Sequence, residues 1–280
     1  MATVSRSIGG LAVSAIGLGE WPLSDTGRPG RSAAIATIRA ALEAGVTLID
    51  TADAYCTDHT EFGHGEELVA EAVGGRDDVL VASKAGCTRQ HGSWGLDGSP
   101  EYLRRACDAS LRRLGVEAIG LYQLHAPDPS VPLSESAGAL GELMDAGKIR
   151  MVGMSNVDTS QIREANEALG GRLASVQNEF SPRVRTSLPE LELCERLGIA
   201  FLPYSPLGGV GAANRLGGAF AEVGERHGVS PQQVCLAWEL ALSPVVIPIP
   251  GSRRPSTIRD SAAAMRLRLS EEDLNTLDKE

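Results

Sequence analysis

The chain is 280 residues long, 42% hydrophobic and 22% charged, which supports one large folded core and excludes a low-complexity or extended chain. Its formal net charge of -10 argues against a general nucleic-acid binder, which needs a basic face for phosphates. No apolar run approaches the ~20 residues that cross a bilayer, and the opening Met1-Ala2-Thr3-Val4-Ser5-Arg6 lacks a signal-peptide apolar core. A cytoplasmic protein without a membrane partner is therefore expected. The 5 cysteines, Cys56, Cys87, Cys107, Cys194 and Cys235, have no paired spacing and read as reduced thiols.

Apolar residues alternate about Gly9-Gly10 over residues 4–13, which predicts a hairpin capping something larger. A first strand over 15–19 ends in Glu20-Trp21-Pro22. Its Gly17-Leu18-Gly19 is not a dinucleotide fingerprint, because Pro22 stands at the third glycine position and no helix opens there. Helical spacing over 32–44 stops at Gly45. Strands over 46–50, 79–84, 119–125, 151–155, 175–179, 200–204 and 245–249 then alternate with helices over 66–73, 100–114, 133–146, 160–169, 188–197 and a helical region over 215–242. Ser99-Pro100 and Ser230-Pro231 each put a capping hydroxyl before a first-turn proline. A turn after the last strand leads into a helix, and Ser270-Glu271-Glu272-Asp273 caps a final short one.

Eight nearly unbroken apolar runs alternating with helices imply a parallel sheet buried on both faces. That count, with a unit of about 30 residues, predicts an α/β fold: a single-domain (β/α)8 TIM barrel over 1–280 with an N-terminal β-hairpin cap. Working groups in such a barrel sit at the carboxyl ends of strands. Asp50, Lys84, His125, Ser155-Asn156, Gln177-Asn178 and Tyr204-Ser205 each follow an apolar run.

Asp50 and Tyr55 lie side by side in Asp50-Thr51-Ala52-Asp53-Ala54-Tyr55. A free phenol has a pKa near 10, so proton transfer near neutral pH needs its phenolate stabilised. A nearby ammonium supplies this, and a carboxylate can hold that ammonium. Lys84 and Asp50 are the candidates for those roles on Tyr55, with His125 orienting a substrate oxygen. Such a set would serve a carbonyl or alcohol while something else moves a hydride. Trp21 and Trp94, in loops after strands, are expected to wall the substrate pocket. The glycine-rich span 85–99 is expected to be a long loop that selects substrate. Cys56-Thr57-Asp58-His59 with His64 matches no common zinc spacing, so no metal is expected.

These residues carry a family resemblance. Asp50 to Tyr55, Ser83-Lys84, Tyr122-Gln123-Leu124-His125, Gly153-Met154-Ser155-Asn156, Val176-Gln177-Asn178-Glu179-Phe180-Ser181, Tyr204-Ser205-Pro206-Leu207-Gly208 and Ile249-Pro250-Gly251-Ser252 together resemble an aldo-keto reductase of the short-tailed bacterial type. The resemblance implies an NADP(H)-dependent oxidoreductase interconverting an aldehyde or ketone and its alcohol, with Tyr55 as general acid/base. By it, Ser155, Asn156 and Gln177 hold the nicotinamide carboxamide, Tyr204 stacks on the ring, and Ser205, Leu207 and Gly208 line the pyrophosphate. Gly251 is a further cofactor contact, and Thr257 and Ser261 fall at the adenosine end. An Arg or Gln is often found where Thr257 stands, and an Asn where Ser261 stands. Arg253 and Arg254, in an acidic chain, are expected to meet a 2′-phosphate by charge-assisted hydrogen bonds. The other readings are a nicotinamide-binding regulatory subunit with little turnover, a sugar or alcohol dehydrogenase working oxidatively, and a Schiff-base aldolase using Lys84. The oligomeric state is not readable from the sequence.

Overall fold

The computed structural model describes residues 5–209 and 211–278. The hairpin forms as β1 (Ser5–Ile8) and β2 (Leu11–Ser14), paired antiparallel; Val4, included in the expected hairpin, lies outside the described residues. Gly9 and Gly10 have φ of +54° and +87°, the left-handed pair a two-residue hairpin turn needs. A Cβ on Gly9 would come within 2.7 Å of Met151 Sδ, so the turn is also a close docking point.

The chain then alternates as expected: β3 (Leu18–Gly19), α1 (Arg31–Glu43), β4 (Leu48–Asp50), α2 (His64–Val73), β5 (Leu80–Ala85). The expected loop 85–99 instead holds an antiparallel hairpin, β6 (Cys87–Gln90) and β7 (Ser93–Leu96), turning through His91 and Gly92, both at positive φ. Next come α3 (Pro100–Leu114), β8 (Ile119–Leu124), α4 (Leu133–Asp145), β9 (Ile149–Ser155), α5 (Thr159–Ala168), β10 (Leu173–Gln177), α6 (Leu188–Leu197) and β11 (Ala200–Phe201). The single helical region over 215–242 divides into α7 (Gly218–His227) and α8 (Pro231–Leu242). Gly228 at φ +66° ends α7, and the Ser230 side chain accepts from Gln233 N to start α8. Helices α9 (Pro255–Ala263) and α10 (Glu271–Leu277) follow.

Seven strands form one parallel sheet in the order β11-β10-β9-β8-β5-β4-β3. The eighth expected strand, 245–249, forms no regular ladder, yet it bonds to both edges. Val245 O accepts from Phe201 N at 2.9 Å and Ile247 N donates to Phe201 O at 2.9 Å; on the other side Gly17 N donates to Pro248 O at 2.9 Å and Gly19 N to Pro250 O at 3.2 Å. Pro248 and Pro250 have no N–H to return, which interrupts the ladder without opening the barrel.

Leu48, Leu80, Ala82, Leu121, Ala174, Ala200, Leu202, Ile247 and Ile249 fill the barrel interior with Ile8 and Val13 of the hairpin. The interior is therefore a packed core plugged at its amino-terminal end, and chemistry is left to the opposite mouth.

Candidate active site

Strand register builds the site. Asp50 of β4 pairs with Ala82 of β5, and Lys84 of β5 pairs with Gln123 of β8. Because side chains two apart share a face, Asp50, Lys84 and Gln123 converge where their strands end. Lys84 is fully buried, and its Nζ donates to Asp50 Oδ1 at 2.5 Å, to the Thr51 carbonyl at 3.0 Å and to the Tyr55 hydroxyl oxygen at 3.0 Å. An ammonium has three protons to give, and all are used. Asp50 Oδ2 accepts from Gln123 Nε2 at 3.2 Å and Gln177 Nε2 at 2.8 Å.

The charges follow this geometry. Burial opposes the Lys84 charge, but Asp50 and Tyr55 outweigh it and hold the ammonium above its ordinary pKa. Burial dominates at Tyr55: despite the offsetting pull of Lys84, the phenol is pushed up to about 12. His125 packs edge-on against Tyr55 with ring centroids 5.6 Å apart. Burial, then Lys84, keeps its imidazole well below the usual histidine range, so it is neutral. Its Nδ1 is buried without a hydrogen-bond partner among the described residues.

Both expected pocket tryptophans lie beside this group. Trp21 is 6.5 Å from Tyr55 and Trp94 is 5.9 Å from His125, centroid to centroid. The β6–β7 hairpin delivers Trp94, which remains 46% exposed. Arg89 stacks 4.3 Å over its ring and donates through Nη2 to Cys56 O at 3.0 Å, tying the hairpin to the loop that carries Tyr55.

A second group of residues extends along the mouth. Ser155 Oγ donates to Gln177 O at 2.8 Å. Asn156, at φ +58°, donates through Nδ2 to His125 O at 2.9 Å and accepts from Tyr204 OH at 2.8 Å. The Gln177 amide nitrogen is committed to Asp50. Ser205 is at φ +52°, and Gly208 N closes a turn on its carbonyl at 2.8 Å. Leu207 and Gly208 line a cleft with Ser181, Pro182, Arg183, Ala212 and Leu216.

Gly251 pairs with Gly19, and Thr257 and Ser261 lie one turn apart on α9. The two arginines diverge. Arg253 reaches back to the Pro22 carbonyl at 3.2 Å and the Thr26 carbonyl at 3.0 Å, whereas the exposed Arg254 side chain has no hydrogen-bond partner among the described residues. His59 lies against Asp58 and His91, and no group of three or more metal-ligand side chains is arranged for an ion among the described residues. Gln123, Arg89 and the buried Glu20 border the site without a role assigned from the sequence; Gln123 was signalled by its place in the Tyr122-Gln123-Leu124-His125 motif.

The chain as a whole is similar to known proteins. A 6-dehydroglucose reductase of Novosphingobium aromaticivorans is 34% identical over 278 residues, covering 94% of this chain and 90% of that protein. An uncharacterized oxidoreductase of Schizosaccharomyces pombe is also 34% identical, covering 98% and 88%. An aldo-keto reductase from Klebsiella pneumoniae, solved in complex with NADPH, superposes with a TM-score of 0.85 at 30% identity, covering 100% of this chain and 95% of that one. With residues 15–280 matching the sequence model of the Aldo/keto reductase family, the chain belongs to that family.

Proposed function

We propose that this chain is an NADP(H)-dependent oxidoreductase that interconverts an aldehyde or ketone and the corresponding alcohol, with Tyr55 as general acid/base. The observation that carries the reading is the 3.0 Å contact between the buried Lys84 ammonium and the Tyr55 hydroxyl. A bound reduced nicotinamide would supply the hydride. Tyr55 holds its proton at neutral pH, which fits a donor to a carbonyl oxygen as negative charge develops there. Lys84 then steadies the phenolate left behind, and Asp50, bonded by two glutamine amides, keeps Lys84 in place. A ring N–H of neutral His125 orients the same oxygen. A protonated phenol favours reduction near neutrality, and oxidation of an alcohol gains as pH rises.

The residues present fit a nicotinamide dinucleotide. Ser155, Asn156 and the side-chain oxygen of Gln177, whose nitrogen stays on Asp50, offer polar groups for its carboxamide, and the phenol of Tyr204 offers a face for its ring. The turn at Ser205, Leu207 and Gly208 suits the pyrophosphate, with Gly251, Thr257 and Ser261 toward adenosine. Arg254, whose guanidinium has no partner among the described residues, is available for a 2′-phosphate, while Arg253 serves by holding the loop after β3. The NADPH in the Klebsiella structure supports the same choice. The substrate is a small carbonyl or alcohol received between Trp21 and Trp94. Titrating the purified protein with NADPH and with NADH, followed by tryptophan fluorescence, tests the reading. Tight NADPH and much weaker NADH binding is expected; binding of neither would overturn it.

A further inference from the structure

Glu20 follows β3 and is fully buried. Its backbone N–H donates to the Asp50 carbonyl at 2.8 Å. Its carboxyl accepts from the Ser24 hydroxyl on one oxygen and from Thr51 Oγ1 at 3.1 Å on the other. The carbonyl of that same Thr51 receives Lys84 Nζ at 3.0 Å. On the α2 side there is no spare room: a Cβ on Gly65 would lie 2.4 Å from Glu20 Oε2 and 2.7 Å from Thr51 Oγ1. We propose that Glu20 is a positioning residue for the Tyr55–Lys84 proton site. It is a second carboxyl behind Asp50 that braces Thr51 against Lys84 and, by its own charge state, sets how readily Tyr55 releases its proton in alkaline solution. The inference rests on the reading of Tyr55 as the general acid/base.

Both hydrogen-bond partners of Glu20 are hydroxyls, which can reverse and accept a proton from the acid. No cation among the described residues bonds to it, and a buried carboxyl in that setting stays neutral. The charged groups that face it are Lys84 from β5 and Asp50 from β4, with Tyr55 in the loop beyond; α2 presents Gly65. Burial pushes its pKa up to about 8, with the Ser24 and Thr51 bonds and Lys84 pulling it down and Asp50 pushing it up. Near neutrality Glu20 is an uncharged brace. Above its pKa it adds a negative charge that disfavours the Tyr55 phenolate, the form that accepts a proton during alcohol oxidation.

Glu20→Gln keeps the volume and the bonding capacity but cannot ionise. Rates of carbonyl reduction and alcohol oxidation would be compared with wild type from about pH 6 to about pH 10. The profiles should coincide below about pH 7. Above about pH 9 the variant should oxidise roughly threefold faster, the effect of a half-unit fall in the Tyr55 pKa, and lose reduction at lower pH. Independently of turnover, the infrared difference between wild type and Glu20→Gln at about pH 7 should contain a protonated-carboxyl band that disappears in alkali. Ser24→Ala, which removes a bond that lowers the Glu20 pKa, should move the wild-type inflection to higher pH; it decides the matter if Glu20→Gln does not fold. Superposable profiles for folded variants, or an ionised Glu20 at about pH 6, would overturn the proposal. If Tyr55→Phe is inactive while Glu20→Gln matches wild type, only the role of Glu20 fails. If Tyr55→Phe keeps its turnover, the reading of Tyr55 itself fails.

Discussion

Replacing Lys84 with methionine removes the one cation from a buried carboxylate. The Lys84 side chain is 0% exposed and that of Asp50 is 2% exposed, with 2.5 Å between the charged atoms. Breaking such a pair from one side typically costs about 3–5 kcal/mol, because the remaining charge is stranded. Asp50 Oδ2 would keep its bonds from Gln123 and Gln177, and methionine retains most of the apolar stem, so a loss near ~3 kcal/mol is expected. Urea unfolding at neutral pH measures it. Adding Asp50→Asn removes the stranded charge, so the double variant should recover part of the loss relative to Lys84→Met alone. The Lys84 pKa is raised on folding, with Asp50 and Tyr55 outweighing burial. Its stabilisation is therefore complete below the ordinary lysine pKa and is lost as pH climbs through the raised one. The difference between wild type and Lys84→Met should hold through neutral pH and shrink only in strong alkali. A loss under ~1 kcal/mol with an unchanged unfolding slope, or a double variant weaker than Lys84→Met, would refute the buried-pair reasoning.

Four further outcomes follow from individual side chains. Arg254→Ala should weaken NADPH binding about tenfold and leave NADH unchanged, since a charge-assisted phosphate contact is worth about 1.4 kcal/mol or more. Arg253→Ala should affect both nucleotides alike through the Pro22 and Thr26 carbonyls that it holds, and the reverse pattern in fluorescence titrations would exchange their roles. Glu239 on α8 is fully buried with neither carboxyl oxygen partnered among the described residues, and burial holds its pKa well above the usual value. An acid raised in this way costs stability as pH rises from its unfolded pKa toward its folded one. Glu239→Met should therefore gain about 1–3 kcal/mol over wild type near neutrality and less below about pH 4 in urea titrations; a gain independent of pH would exclude this cause. Trp94→Ala, at a 46% exposed position, should cost under ~1 kcal/mol in stability. It should raise KM for carbonyl substrates more than it lowers kcat, and an unchanged KM across an aldehyde series would remove Trp94 from the pocket wall.

The barrel and the central four side chains were legible because both depend on local pattern. Apolar runs mark buried strands, and the polar residue that ends a run is delivered to the mouth whatever the loops do. What escaped depends on tertiary context. Pro248 and Pro250 interrupt the eighth strand, and its closure of the barrel is visible only in the carbonyls that accept from Gly17 and Gly19. The segment 85–99 read as a loop because its glycines mask the Cys87–Leu96 pairing, whose turn needs the left-handed His91 and Gly92. Arg253 and Arg254 are equivalent as letters, and only the fold of residues 22–26 separates them. Glu20 reads as an ordinary polar residue after a strand until Gly65 of α2 is seen closing over it. For Tyr55 the sequence supplied the ammonium but not the depth of burial, which outweighs it in setting the phenol.

The central claim, that Tyr55 transfers the proton in an NADPH-dependent carbonyl reduction, is tested most directly by comparing Tyr55→Phe with wild type over an aldehyde panel. NADPH consumption and NADPH affinity would be measured on the same preparations. The account predicts nearly unchanged nucleotide binding and a turnover lower by about 10²–10⁴-fold, the usual worth of a positioned general acid. A Tyr55→Phe protein that binds NADPH and reduces the same aldehydes within a few-fold of wild type would contradict it.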